Sequence, residues 1–237
     1  MMIWLILVAV LVIIGLVLYW QLVIAEGAHL GARVVALLYD WTAERYNKIK
    51  DFDWQIEALA LGSPLLRRLY RQPQMLVLDV ATGTGRVPRV LLGQSLYQGP
   101  IVGVDRATRM LNVARRDMAA HKDRVSLIQA DALALPFASH SVPLVTCVEA
   151  LEFLPNPYKG LVELVRVLQP ASEGNPDAGW LAVTQRIGWE ARLMPGKTWS
   201  TEKLQVILRG FPLRRIQIQP WEDIYNLVWA QKVDKQP

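Results

Sequence analysis

The pattern of apolar and polar positions divides the chain into three stretches. From Met1 to Ala25 no side chain is charged, and the run IWLILVAVLVIIGLVLYW would be apolar on every side of a helix. Crossing a hydrocarbon core about 30 Å thick takes about 20 such residues at about 1.5 Å of rise each. Residues 1–25 are therefore expected to form one transmembrane helix, with Tyr19 and Trp20 near its exit, where amphipathic rings favour the headgroup layer. A cleaved signal peptide ending at Val23-Ile24-Ala25 is the competing reading. Against it stand the missing basic lead and a run longer than the usual h-region of about 7–15 residues.

In residues 27–50, Leu30, Val34, Leu37, Leu38, Trp41 and Tyr46 recur at spacings of three to five, which predicts an amphipathic helix. Such a helix either lies in a membrane interface or packs as the first helix of a folded domain. A second helical pattern fills 51–73, punctuated by Pro64 and Pro73. Beyond Pro73, β-rich runs alternate with helical stretches, as in βαβ units around a parallel sheet. Strands are expected near 75–80, 100–104, 125–129, 143–148 and 180–185, and helices near 85–95, 107–120 and 157–168. Leu213–Gln219 and Tyr225–Lys232 add two more strands across a Pro-Trp-Glu-Asp turn, a link too short for a helical crossover, so they should pair antiparallel. The predicted organisation is a transmembrane helix at 1–25, a helical linker or lid at 26–73, and an α/β domain at 74–237.

Composition changes this picture little. Hydrophobic residues make up 52% of the 237, but much of the excess sits in the first 25. The net charge of +5 suits anionic lipid, and with no dense basic run nucleic acid is not an expected partner. Cys147 is the only cysteine, so no intrachain disulfide can form and no thiol cluster can hold a metal. Arg33, Arg45, Lys48 and Lys50 follow the apolar run, which by the positive-inside rule puts the rest of a single-pass chain in the cytoplasm.

The segment VLDVATGTGR, residues 77–86, runs a buried-type strand into a glycine turn and a helix. Gly83 and Gly85 let a ligand touch the backbone, and the helix behind aims unpaired N–H groups at it. Tight strand–helix turns also need glycine for purely structural reasons. A dinucleotide fingerprint would require a third glycine where Pro88 stands, which makes a membrane-tethered nicotinamide reductase a remote option. Asp105 ends the second strand in IVGVD, where a carboxylate can accept both hydroxyls of a ribose or simply cap the next helix. Asp131 and Ala132 follow the third strand in QADALALPF, where the acid is either a ligand contact or an ordinary loop-end residue.

Taken together, Asp79-x-x-x-Gly83-x-Gly85, Asp105 and Asp131-Ala132 resemble class I S-adenosylmethionine-dependent methyltransferases, the ubiquinone/menaquinone-biosynthesis-like (type 11) family in particular. The resemblance runs from about 39 to 232 and includes YDWTAERYN, in which a tyrosine can cover the cofactor, and the Glu163, Arg166, Pro170 pattern. It departs in the polar insertion after Pro170, expected as a surface loop, and in Ala81, where many relatives have glycine. The family implies a Rossmann-like, seven-stranded, mostly parallel sheet with an antiparallel C-terminal hairpin strand. It also implies S-adenosylmethionine as cofactor, held by Asp79, Ala81, Thr82, Gly83, Thr84 and Gly85, by Asp105, Arg106 and Met110, and by Asp131, Ala132, Leu133 and Val148.

A sulfonium methyl is already activated, so its transfer asks chiefly for positioning and a dry pocket, and no metal is expected. Glu149 is the candidate for positioning the acceptor or removing its proton, whereas Glu152 is expected to cap a helix or face solvent. His29, His121 and His140 are expected to be structural or solvated. Trp180, Trp189, Met194 and Trp199 either line an acceptor site or serve as packing. An anchored enzyme would favour a lipophilic acceptor such as a quinone precursor, a lipid or a pigment intermediate. The alternative is a methyltransferase-like accessory subunit of a membrane protein complex with little or no activity.

Overall fold

A computed structural model describes residues 1–234, so the last three residues of the expected 74–237 unit lie outside the described residues. Helix α1 (Met2–Tyr19) continues through a π-helical turn at Trp20–Ile24, giving a 23-residue helical span whose most apolar stretch has a mean hydropathy of 3.0 and whose α1 portion has no buried residue. At about 1.5 Å per residue this is about 34 Å, long enough to cross a membrane.

The stretch 27–50 is broken where one continuous helix is expected. Gly27 and Gly31 take positive φ values of 77° and 92°, so the chain turns before α2 (Ala32–Thr42), which a 3₁₀ turn separates from α3 (Tyr46–Ile49). The packed side of α2 is also not the one the large apolar residues mark. Ala36, Tyr39, Ala43 and Tyr46 pack with Ala107, Met110 and Val113, the two alanines leaving room for the tyrosine rings and for close approach, while Leu37 and Trp41 point outward. Two short helices follow, α4 (Trp54–Glu57) and α5 (Ser63–Leu69), joined by a π-helical turn, with Pro64 in the first turn of α5, where its missing N–H costs nothing.

Then come β1 (Val77–Val80), α6 (Arg86–Leu92), β2 (Ile101–Asp105), α7 (Thr108–Asp117), β3 (Val125–Gln129), β4 (Leu144–Cys147), α8 (Pro157–Val167) and β5 (Trp180–Arg186). The chain ends with α9 (Gly188–Arg192), α10 (Thr201–Arg209), β6 (Leu213–Glu222) and β7 (Tyr225–Lys232). The sheet order is β3-β2-β1-β4-β5-β7-β6, parallel through β5, with β7 antiparallel to both neighbours. Strand order reverses at β1, whose partners are β2 and β4, so a crevice opens beyond the carboxyl ends of the strands there. Of the expected Pro-Trp-Glu-Asp turn, the first three residues are strand and only Asp223 turns, with Ile224. Trp221 hydrogen-bonds the Ala60 carbonyl at 2.9 Å, a register shift absorbs Pro220, and β6 runs on to Glu222.

Two cores cover the faces of the sheet. Leu161, Leu164, Leu204 and Leu208 of α8 and α10 pack on one, and Leu65, Leu69, Val90 and Leu91 of α5 and α6 on the other. The polar insertion after Pro170 lies at the surface, tied by a bond from Gln72 to Asn175 at 2.7 Å. Lys232, at the end of β7, buries its ammonium against the C-terminus of α8, where it donates to the carbonyls of Val165, Arg166 and Leu168. These groups have no intrahelical donor, and a cation is favoured at this end of a helix. Lys232→Met keeps the bulk of the stem and takes the donor from the Val165 and Leu168 carbonyls, while Arg166 still accepts from the His140 amide. The variant is expected to lose about 1–3 kcal/mol of unfolding free energy, measured as a lowered urea midpoint for the full chain in detergent.

Candidate active site

The crevice beyond β1, β2 and β4 is a cleft of about 1030 Å³. Its floor is the turn between β1 and α6. Ala81 and Gly83 adopt φ values of 58° and 55°, and a Cβ on Gly83 would meet nothing within 4 Å, so the backbone is bare toward the cleft. At the neighbouring strand, Gly103 gives room to Thr82, whose side chain would stand 2.9 Å from a Cβ there.

Three carboxylates arrive from successive strands. Asp79 is buried and accepts from the Thr146 hydroxyl at 2.6 Å; burial pushes its pKa up to about 7, against the pull of that bond. Asp105 accepts from the Gly83 amide on one oxygen and the Ala107 amide on the other, both at 2.8 Å. Burial raises this carboxyl too, with the backbone bonds opposing. Asp131 accepts from Arg106 at 2.6 Å and from the Leu133 amide at 3.0 Å. Asp105 thus lines the cleft while its carboxylate braces the glycine turn and the residue that precedes α7.

Asp79, Ala81, Thr82, Gly83, Thr84, Asp105, Arg106, Asp131, Ala132, Val148 and Glu149 all line this cleft. Three residues expected at the site do not line it. Gly85 (φ 90°) sits over Met118, whose methyl would lie 2.2 Å from a Cβ, so this glycine serves helix packing. Met110 is buried under α2 against Ala43, and Leu133 turns toward Gly160.

Of the roof, only Tyr39 and Tyr46 fall in a segment the sequence marked, YDWTAERYN; the rest comes from residues whose order in sequence carries no motif. Ala32, Val35, Ala36 and Tyr39 of α2, with Tyr46, Phe52 and the lip Phe153-Leu154-Pro155, make an apolar and aromatic end. Tyr39 donates to Glu26 at 2.7 Å and stacks edge-on with Phe153, so the segment leaving α1 is tied to the lip. Lys197 holds the carbonyls of Leu154 and Pro155 at 2.8 and 3.1 Å. Trp180 packs instead on the far face of the sheet, under Arg68 and against Trp229; Trp199 joins the core beneath the sheet, Met194 is buried behind Phe153, and Trp189 is exposed. None of the four lines the cleft, and neither do His29, His121 or His140.

Glu149 has a left-handed backbone (φ 48°) that turns its carboxylate into the cleft wall. There it pairs with Lys50 at 2.8 Å and with Arg86. Burial pushes its pKa up, but Lys50 and then Arg86 outweigh burial and hold it below the usual carboxylate range. Arg86, which no pattern singled out, also forks onto Glu57 at 2.6 and 2.8 Å and reaches Glu222. Glu152 is buried, contrary to expectation, because it accepts from the Tyr225 hydroxyl at 2.6 Å. Chemically, the cleft offers acids for a cation, a pair of hydroxyls and an amine along one wall, and an apolar slot for a second molecule at the other end.

Residues 77–171 match the sequence family described as a methyltransferase domain. Demethylmenaquinone methyltransferase of Clavibacter sepedonicus is 40% identical over 136 residues, 57% of this chain and 51% of that protein. The enzyme of the same name from Thermus thermophilus is 36% identical over 136 residues, 57% and 58% of the two chains. The chain thus spans about half the length of the curated relatives it matches. Among solved structures, a putative S-adenosyl-L-methionine-dependent methyltransferase from Methanococcus maripaludis superposes with a TM-score of 0.64 at 15% identity, over 83% of this chain and 94% of that one. The [4+2]-cyclase SpnF superposes with a TM-score of 0.67 at 16% identity, over 86% and 98%. Residues 77–171 thus match a methyltransferase domain, and sheet order with the strand-end cleft gives this chain the fold of the S-adenosyl-L-methionine-dependent methyltransferase structure it superposes on.

Proposed function

We propose that the chain is a membrane-anchored S-adenosylmethionine-dependent methyltransferase acting on a small lipophilic acceptor of quinone-precursor type. The observation that carries this reading is the convergence of Asp79, Asp105 and Asp131, from three successive strands, on a cleft whose other end is apolar and aromatic. The donor set fits the cofactor: an acid for a cationic amino-acid end, a carboxylate for two ribose hydroxyls, and an acid with a neighbouring amide for an adenine edge. Bare backbone at Gly83 and the buried, unpartnered Thr82 hydroxyl are consistent with a ligand lying against this turn. The relatives named for demethylmenaquinone methylation support a quinone-type acceptor.

In this reading Asp79 faces the charged end of the cofactor, Asp105 the ribose, and Asp131 with Ala132 the base, while Tyr39 and Tyr46 close over the top. The bound cofactor supplies a methyl group on a positively charged sulfur. The chain's own work is to align that group with an acceptor in the apolar slot and to keep water out, which is the main source of rate when the leaving group is already activated. Glu149, doubly ion-paired and held ionised, is a weak proton acceptor, so we assign it to positioning through Lys50 and Arg86. α1 holds the domain at the membrane, with the domain on the cytoplasmic side by the basic residues that follow the span.

Calorimetric titration with S-adenosylmethionine is expected to show one site, which Asp105→Ala weakens by about 10- to 100-fold, the value of hydrogen bonds to a charged group. Absence of binding by the wild type would refute the assignment; binding with no methylated product from membrane lipid extracts would favour the accessory-subunit alternative. Asp79 supplies a pH signature. Its folded pKa of about 7 lies above the unfolded value, so the ionised form that attracts a cation gains population as pH rises through 7. Cofactor affinity should rise between pH 6 and 8 and then level off, and Asp79→Asn should bind weakly with no such slope. Protease added to inside-out membrane vesicles should digest the domain, while right-side-out vesicles protect it; the reverse pattern would overturn the topology.

A further inference from the structure

The roof helix α2 is apolar on two sides. Ala32, Val35, Ala36 and Tyr39 face the cleft, yet Leu37 and Trp41 on the opposite side are 68% and 80% exposed. Arg33, Leu37 and Trp41 follow one another at four-residue spacing along α2, and Leu30 before it and Arg45 and Lys48 after it are exposed as well. A second exposed cluster, Trp189, Arg192 and Leu193, sits at α9.

Both clusters are tied to the root of the apolar helix. The Trp20 indole donates to the Leu193 carbonyl at 2.8 Å, and the His29 ring, stacked on Trp20, contacts the Pro195 carbonyl at 3.2 Å. Ala25 and Ala28 pack against Phe153 and Met194. The helix is thus not on a free tether, and whatever depth Trp20 occupies, Leu193 shares it. Charge on this face is one-sided as well. Arg33, Arg45, Lys48 and Arg192 form no ion pair among the described residues, whereas the acids on the same segments are turned elsewhere: Asp40 to the amide of Arg109, Glu44 to Arg116 and Glu190 to Arg186.

We propose that the outward side of residues 30–48 and the α9 corner form an interfacial collar lying on the bilayer that α1 spans, with an anionic phospholipid surface as its partner. This rests on the reading of α1 as a membrane anchor. Trp41, Trp189, Leu37 and Leu193 enter the boundary between headgroups and acyl chains, and the four cations meet lipid phosphates. The collar makes α2 a wall one helix thick, about 10 Å, between lipid and cleft. A lipophilic acceptor then reaches the apolar slot from the membrane without crossing bulk water.

The test uses the full chain in phosphatidylcholine–phosphatidylglycerol vesicles, with one environment-sensitive fluorophore placed in turn through Leu37→Cys, Trp41→Cys, Trp189→Cys, Leu7→Cys and Leu96→Cys. The native Cys147 is fully buried and does not label. Leu96 is exposed beside Tyr97, whose hydroxyl binds carbonyls just before β1 and β2, at the sheet edge opposite the cleft. Probes at 37, 41 and 189 are expected to shift to the blue and lose emission to a lipid-attached quencher, as the probe at 7 does, while the probe at 96 does neither. Should 37, 41 and 189 stay water-like while 7 is quenched, the collar is wrong and the anchor stands. No quenching at 7 removes the anchor and the collar with it. A blue shift at 37 and 41 that the lipid quencher does not touch, and that dilution reverses, means a second copy covers this face and overturns the proposal.

Discussion

Arg86 is a guanidinium nearly cut off from water at the head of α6, and three carboxylates from distant parts of the chain meet on it: Glu57, Glu149 and Glu222. Phe52 and Trp221 lie 4.6 and 4.9 Å from its central carbon. A buried cation left without partners costs several kcal/mol, so these elements are obliged to meet where the glycine turn enters its helix. Lys50 joins through Glu149, and the wall of the cleft becomes one connected ionic group rather than a set of independent loops. The roof, the C-terminal hairpin and the loop after β4 are all placed by it.

On that frame the cleft acquires two chemically distinct ends. The acid-bearing end is built from strand tips in a parallel sheet, where register fixes each carboxylate: Asp79 lies opposite Gly103 on one side and Thr146 on the other. The apolar end is built from helix and loop, and its side chains converge only because Tyr39, Phe153 and Lys197 bind elements far apart in the chain.

The same architecture superposes on a protein named as a cyclase, so the sheet by itself does not fix the chemistry. What distinguishes this chain is how the segment leaving α1 becomes the roof. Glu26 bonds Tyr39, Ala25 and Ala28 pack on the lip, and α2 closes the cleft within a few residues of the apolar helix. The base of the apolar helix and the shape of the apolar end of the cleft are therefore built by the same residues.

The sequence by itself determined the strand–helix alternation, the antiparallel closing pair, the apolar N-terminal helix and the acids at the tips of β1, β2 and β3. Each is a local matter: periodicity, glycine at a turn, a carboxylate where a strand ends. Tertiary structure alone decided the rest. It turned Ala36 and Tyr39 inward and Trp41 outward, against the pattern of the larger apolar residues, because Ala36 and Ala43 let this segment come close to α7. It carried strand through Pro220-Trp221-Glu222, since Trp221 found a carbonyl on another element. It buried Glu152 and ion-paired Glu149, because the partners Tyr225, Lys50 and Arg86 lie many residues away, and it gave Gly85 and Met110 packing roles in place of ligand contacts. Long-range pairing leaves no trace in spacing, and for that reason the acid-bearing wall of the cleft was legible in the sequence while most of its apolar wall was not.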